Sequence, residues 1–321
     1  MDQATGAPNI SLDAVFRIVI VRVGAIGDTI VLFPLLAALR RRFPKAQISA
    51  VGRSEVWEVA QSAGLCDRVF SSESIGWWTF AASPGTGTVP VSRPDSRLLA
   101  VIGGADLLIN ADGGLDSCAA DTRANELSIS RIITIPALPP DNYTKPAAKF
   151  YLEAVHSAAA DLHFSGEPAF IRLAGDDNKK TNTLLIAPGA GSPRKRAPAR
   201  VFVDIANTAR SRNLQIALVV GEADAAAERE YYENGGAADR VFRNVKLSDL
   251  FREMQRCAGF VANDSGMAHL AAFAGLRGWV FFTVTDANVW APPSPHVRYS
   301  YVNDPAGPGD VIEFIVRDRQ I

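Results

Sequence analysis

The sequence predicts an α/β protein made of two units, each built on a parallel sheet. Three observations carry that reading: short β-branched runs alternate with helix-like segments, the alternation starts twice, and a polar stretch without strand character, AGDDNKKTN, separates the two series. With 321 residues, 48% of them hydrophobic, the chain is long enough to bury two cores of ordinary size.

The first series opens at Phe16 with FRIVIVRV, a run of the length of one buried strand. GDTIVLFPLLAALRRRF follows and reads as one helix, then AQISAVG as a strand, a helical segment through Trp57, and DRVF as a third strand. LLINAD and RIITIP continue the strands, and KPAAKFYLEAVHSAAADL has apolar positions suited to a helix. The second series runs TLLIAPG, a helix from about Arg200 to Arg212, LQIALVVG, a helix through Glu228, and DRVF again. It ends with helix LSDLFREMQ, strand GFVAND, helix SGMAHLAAFAG and strand GWVFFTV. Strands that alternate with helices pair in parallel. The boundary is expected within Asp161–Asn182, and ASPGTGTVPVSRPDS is a long Gly, Pro and Ser loop inside the first unit.

Charge narrows the partners. Against 33 Lys and Arg stand 34 Asp and Glu, so no global field draws the molecule onto nucleic acid or anionic lipid. Cys66, Cys118 and Cys257 lie far apart, and His156, His163, His269 and His296 are equally scattered, so no sequence-local metal site is expected. No stretch approaches the roughly 18 apolar residues that span a bilayer, and the N-terminus lacks the basic and apolar regions of a signal peptide. A cytoplasmic protein with at most peripheral contact at the inner membrane is the expectation.

Three constellations carry the chemistry. In VRVGAIGDTIV a buried strand ends in Gly24-Ala25-Ile26-Gly27-Asp28, which sets Asp28 at the carboxyl edge of the sheet, where open α/β sheets bind ligands. Asp28 there is either a reactive carboxylate or a helix-starting one. The G-x-x-G spacing does not meet the dinucleotide fingerprint, which argues against a nicotinamide oxidoreductase. In LLIAPGAGSPRKRAP a strand runs into small residues, Ser192 and the cations Arg194, Lys195 and Arg196, an arrangement that suits phosphate and also describes a solvated basic turn. In GFVANDSGMAHLAAFAG a strand runs into Asn263-Asp264-Ser265-Gly266 and a helix. Asp264 or Ser265 can cap that helix, whose first amides suit an anion, and His269 is either turned to the ligand or a buried, satisfied histidine.

With FFTVTDANVWAPP added, these motifs lie in order over Phe16 to Pro293, and the chain resembles glycosyltransferase family 9, the bacterial heptosyltransferase family of lipopolysaccharide assembly. The resemblance implies a GT-B fold, two Rossmann-like parallel-sheet domains facing across a cleft. Residues 1–15 are then a flexible leader, 16–165 the acceptor-binding domain, 166–182 a linker, and 183–321 the nucleotide-sugar domain, whose last residues can pack back on the first. It also implies an inverting enzyme without metal or other cofactor, which moves a heptose from an ADP-linked donor to a saccharide or glycoconjugate acceptor. By the motif Asp28 is the general base. Ser192, Lys195, Glu222, Val245, Leu247, Asp264, Ser265, Gly266 and His269 belong to the donor, and Gly27, Arg53 and Asp112 to the acceptor. These residue types suit the chemistry, since a carboxylate can take the acceptor proton while Lys195 and helix amides stabilise the departing diphosphate.

Departures from the family pattern are visible. Ala197 stands where an aromatic commonly follows the Lys-Arg pair, and Glu222 and Asp224 compete for the acid that meets the ribose. Only Arg53 represents the basic cluster expected after the second strand, which points to a less anionic acceptor. Trp57, Trp77, Trp78 and Phe80 are either core residues or a stacking surface for sugars. Alternative readings are a same-fold transferase with another donor or with a protein or secondary-metabolite acceptor, and a non-catalytic nucleotide-sugar binding protein. Asp112, at the end of LLINAD, is the rival base.

Overall fold

A computed structural model describes residues 15–81, 95–114, 117–162, 164 and 181–317. The expected leader, the linker and the loop ASPGTGTVPVSRPDS lie outside the described residues, apart from their last positions. The chain divides into two compact units, Met1–Gly24 with Leu32–Asp141 and Lys149–Glu167, and Ala25–Val31 with Asn142–Ala148 and Pro168–Ile321.

In chain order the first half holds β1 (Arg17–Arg22), α1 (Ile26–Ile30), α2 (Phe33–Arg42), β2 (Gln47–Gly52), α3 (Ser54–Ser62), β3 (Arg68–Ser71), α4 (Trp78–Ala81), α5 (Ser96–Ile102), β4 (Leu107–Asn110), α6 (Ser117–Leu127), β5 (Ile132–Thr134) and α7 (Ala147–Ala158). Its sheet is parallel, in the order β3-β2-β1-β4-β5. β1 lies at the centre, with Ile18 beside both Ile48 and Leu107, and is buried from Ile18 to Arg22, as a strand covered on both faces must be. The single helix expected after Gly27 is two. Pro34 has no N–H to donate to the preceding turn, so α1 closes at Val31 and α2 starts afresh with its proline in the first turn.

The second half holds β6 (Thr183–Ala187), α8 (Ala199–Ser211), β7 (Gln215–Val220), α9 (Ala225–Glu233), β8 (Arg240–Arg243), α10 (Leu247–Arg256), β9 (Gly259–Asn263), α11 (Gly266–Phe273), β10 (Gly278–Phe282), α12 (Ala287–Trp290), β11 (Val297–Tyr301) and α13 (Pro308–Val316). All six strands are parallel, in the order β11-β10-β9-β6-β7-β8. Counted from β6, that is the Rossmann order, with its switch point between β6 and β9. β11 and α13 go beyond the elements expected from sequence. β11 is a largely exposed edge strand, VRYSY, without the apolar run that marks the interior strands. α13 buries Val311, Ile312, Phe314 and Ile315 in the core of its own unit, where Ile315 lies over Gly259 so closely that a Cβ there would stand 2.5 Å from Ile315 Cγ2.

Candidate active site

The chain leaves β6 through Pro188-Gly189-Ala190-Gly191-Ser192, makes a short 3-10 turn over Pro193–Lys195, and enters α8. Asn263, the last residue of β9 and fully buried, staples this excursion at both ends: its Nδ2 donates to Pro188 O at 2.7 Å, and its Oδ1 accepts from Ala197 N at 2.9 Å. Thr283 Oγ1 donates to Arg194 O at 2.7 Å and holds the middle. Losing the Asn263 amide would leave two buried backbone groups unpaired, a cost of about 1–3 kcal/mol each. Ala197, which stands where an aromatic was expected, is buried in the core of this unit and held by its N–H to Asn263.

That staple presents Lys195 to Asp264. Lys195 Nζ lies 2.8 Å from Asp264 Oδ2, and Thr285 Oγ1 donates to the same oxygen at 2.6 Å. Asp264 is 5% exposed, so these two groups supply the polar contacts that a buried carboxylate requires. Asp264 therefore faces sideways and does not cap α11. Ser265 occupies the cap position without a side-chain hydrogen bond, which leaves the first-turn amides of α11 uncapped by either predicted side chain. Ser265 Oγ and His269 Nδ1 are buried without a hydrogen-bond partner. His269 is thus buried but unsatisfied, an outcome between the two that the sequence allowed. Burial pushes its imidazole down to about 4, against the opposing pull of the Asp264 and Asp28 carboxylates and with some help from Lys195. It is neutral at neutral pH.

Asp28 reaches this place on α1, in the first turn after Ala25, and is half-buried. α1 packs against the start of α11 through two glycines. A Cβ on Gly266 would stand 2.9 Å from Ile26 Cβ and 3.0 Å from Gly27 N, and one on Gly27 would stand 3.5 Å from His269 Cδ2. The close backbone approach that Gly27 allows is therefore that of α11. Asp28, Lys195, Asp264, Ser265, Gly266 and His269 gather in the second unit.

The remaining predicted donor residues line the same sheet edge. Ser192 accepts from Arg194 N at 3.2 Å and shapes the Lys195 turn. Asp224 is committed to its own turn: its Oδ2 accepts from Gly221 N at 2.9 Å, and its carboxylate fills the space beside Gly189. Glu222 is exposed in the same turn. Val245 is half-buried after β8, and Leu247 is buried at the first position of α10. Arg53 and Asp112 belong to the first unit. Arg53 precedes α3 and pairs with Glu55 at 2.5 Å. Asp112 follows β4, accepts from Val23 N at 2.8 Å and lies 4.0 Å from Arg22, and burial raises its carboxyl against the opposing influences of Val23, Arg22 and the Trp77 side chain. Trp57, Trp77 and Phe80 are core residues, whereas Trp78 is 62% exposed.

Asn263, Thr283 and Thr285 lie inside motifs recognised in the sequence, but sequence reasoning gave them no role. The available signal was a pair of threonines directly after an apolar strand, at the sheet edge where ligands bind. Among the described residues no group of three or more His, Cys, Asp and Glu side chains is placed to hold a metal, and no helix is long and apolar enough to cross a membrane.

The two parallel-sheet units have the GT-B fold, and a lysine, a carboxylate and a helix N-terminus gather at the switch point of the second. The chain belongs to glycosyltransferase family 9, the heptosyltransferase family, whose profile matches residues 115–310. In fold it is similar to E. coli ADP-heptose LPS heptosyltransferase II, at 14% identity and a TM-score of 0.70 over 94% of this chain and 99% of that one. E. coli heptosyltransferase WaaC with ADP has 14% identity and a TM-score of 0.68 over 95% and 100% of the two chains. A glycosyl transferase family 9 protein from Veillonella parvula DSM 2008 has 16% identity and a TM-score of 0.67 over 89% and 86%. No curated protein matches the chain in sequence.

Proposed function

We propose that this glycosyltransferase moves a heptose from an ADP-linked donor to a hydroxyl of a saccharide or glycoconjugate acceptor, with inversion, without a metal, and in lipopolysaccharide assembly at the cytoplasmic face of the inner membrane. Family membership supports the sugar transfer, and similarity in fold to heptosyltransferases named or solved with ADP-heptose and ADP supports the donor. The profile match begins beyond Asp28, so the observation that carries the mechanism is the Gly27–Gly266 approach, which sets Asp28 beside the start of α11.

In this reading the second unit takes the donor. Val245 and Leu247 bed the nucleobase, and Glu222 meets the ribose because Asp224 is already committed to Gly221. Lys195 and the first-turn amides of α11 receive the diphosphate, and Asp264, Ser265 and His269 meet the sugar. The first unit takes the acceptor, with Arg53 and Asp112 near its sheet edge. Asp28 removes the proton from the acceptor hydroxyl as that oxygen bonds to the anomeric carbon, on the face opposite the departing diphosphate. The bond from the anomeric carbon to the diphosphate oxygen breaks, and its electron pair leaves with a group whose charge Lys195 and the amides offset.

The test is Asp28→Asn, which keeps size but cannot accept the proton. Transfer should fall by about 10²- to 10⁴-fold while donor affinity is nearly unchanged. An Asp28→Asn enzyme that transfers at close to the normal rate, beside an inactive Asp112→Asn enzyme, would move the base to Asp112.

A further inference from the structure

Thr283 and Thr285 stand two apart in the bend that follows β10, and each commits its hydroxyl to a neighbouring loop, whereas Val284 between them is 57% exposed. The segment is anchored beyond them, because Asp286 Oδ1 accepts from Asn288 N at 2.9 Å and Ala287 N donates to Tyr301 Oη at 3.0 Å. Thr283 holds the Lys195 turn through Arg194 O, and Thr285 holds Asp264. The bonds that Lys195 and Thr285 make to the Asp264 carboxylate fall on one oxygen, Oδ2.

This creates a conflict over Lys195. A cation already 2.8 Å from a buried carboxylate must leave that partner, or share it, to meet a diphosphate. A buried carboxylate stripped of its partners is costly, so the donor would have to bear that cost. We infer that Thr285 is a positioning residue: its hydroxyl keeps Asp264 hydrogen-bonded and correctly turned when the donor diphosphate draws Lys195 away. The inference rests on the reading of the second unit as the donor site. It adds a residue outside that site's predicted contacts, one that acts through Asp264.

The experiment measures nucleoside diphosphate affinity by calorimetry, using whichever of ADP, GDP, UDP and CDP most raises the melting temperature of the unmodified protein. Thr285→Val and Thr285→Ala should each weaken binding by about tenfold, the worth of one hydrogen bond to a buried charge. Thr285→Ser should bind as the unmodified protein does. In an Asp264→Asn background, where no buried charge depends on the hydroxyl, Thr285→Val should change affinity less than twofold, roughly within additivity error. A purely structural role would lower the melting temperature and leave both affinity and the Asp264 dependence untouched. If Thr285→Val and Thr285→Ala bind normally while Lys195→Ala binds weakly, the inference is overturned and the donor site stands. If no nucleoside diphosphate binds, or Lys195→Ala binds normally, the donor-site reading fails and the inference with it.

Discussion

His269 is a neutral imidazole among charged side chains, and its surroundings make it a reporter of the site. Burial holds its pKa at about 4 in the folded protein, against 6.5 for an exposed histidine. Between those values the unfolded chain binds a proton that the folded one refuses, so stability falls as pH falls. The contribution is fully present above about pH 6.5 and is lost toward about pH 4. Melting curves across this window should therefore show a loss on the order of 1–3 kcal/mol for the unmodified protein. His269→Gln should flatten that part of the profile, because glutamine does not titrate. An unchanged slope would mean that His269 is already charged in the folded state, and the neutral role given to it would be wrong.

At the scale of elements, the crossing of α1 and α11 is the feature on which the proposed base depends. α1 is only five residues long and carries no side-chain cap, so its position comes from packing rather than from helical stability of its own. Gly266 is the tighter side of the contact. A methyl added there would stand 2.9 Å from Ile26 Cβ and 3.0 Å from Gly27 N, whereas the nearest neighbour of one added at Gly27 is at 3.4 Å. Gly266→Ala must therefore push α1 away, at about 1–3 kcal/mol of overpacking. Because a displacement of about 1 Å can cost on the order of 10²-fold in rate, kcat should fall much further than nucleotide affinity changes. Gly27→Ala should have the milder effect. Rates and melting temperature both unaltered in Gly266→Ala would show that the crossing does not set the position of Asp28.

For the whole molecule, the proposed division of labour assigns diphosphate charge to a lysine and a helix N-terminus, both supplied by the second unit. A leaving group stabilised in this way needs no divalent cation. Transfer by the full chain should accordingly keep its rate after treatment with EDTA. Loss of activity on chelation, restored by Mg²⁺ or Mn²⁺, would contradict the mechanism.

Much of the architecture can be read from residues close together in the chain. The central strands β1, β6 and β9 are near-continuous apolar runs because parallel strands covered on both faces need no polar side, so their existence and order of appearance are local information. The same holds for Asp28, Lys195 and Asp264 at strand ends, since a glycine-rich or polar break after an apolar run marks the edge where ligands bind. The edge strand β11, with mixed exposure, left no such trace. Nor did the pairings within the site. Lys195 and Asp264 are 69 residues apart, and Thr285 and Asp264 are 21 apart. They meet because β6, β9 and β10 are neighbours in one sheet, and strand order is settled by how whole elements pack rather than by any stretch of sequence. The glycine contact between α1 and α11 has the same origin: a missing side chain becomes legible as a contact only when the other helix is in place.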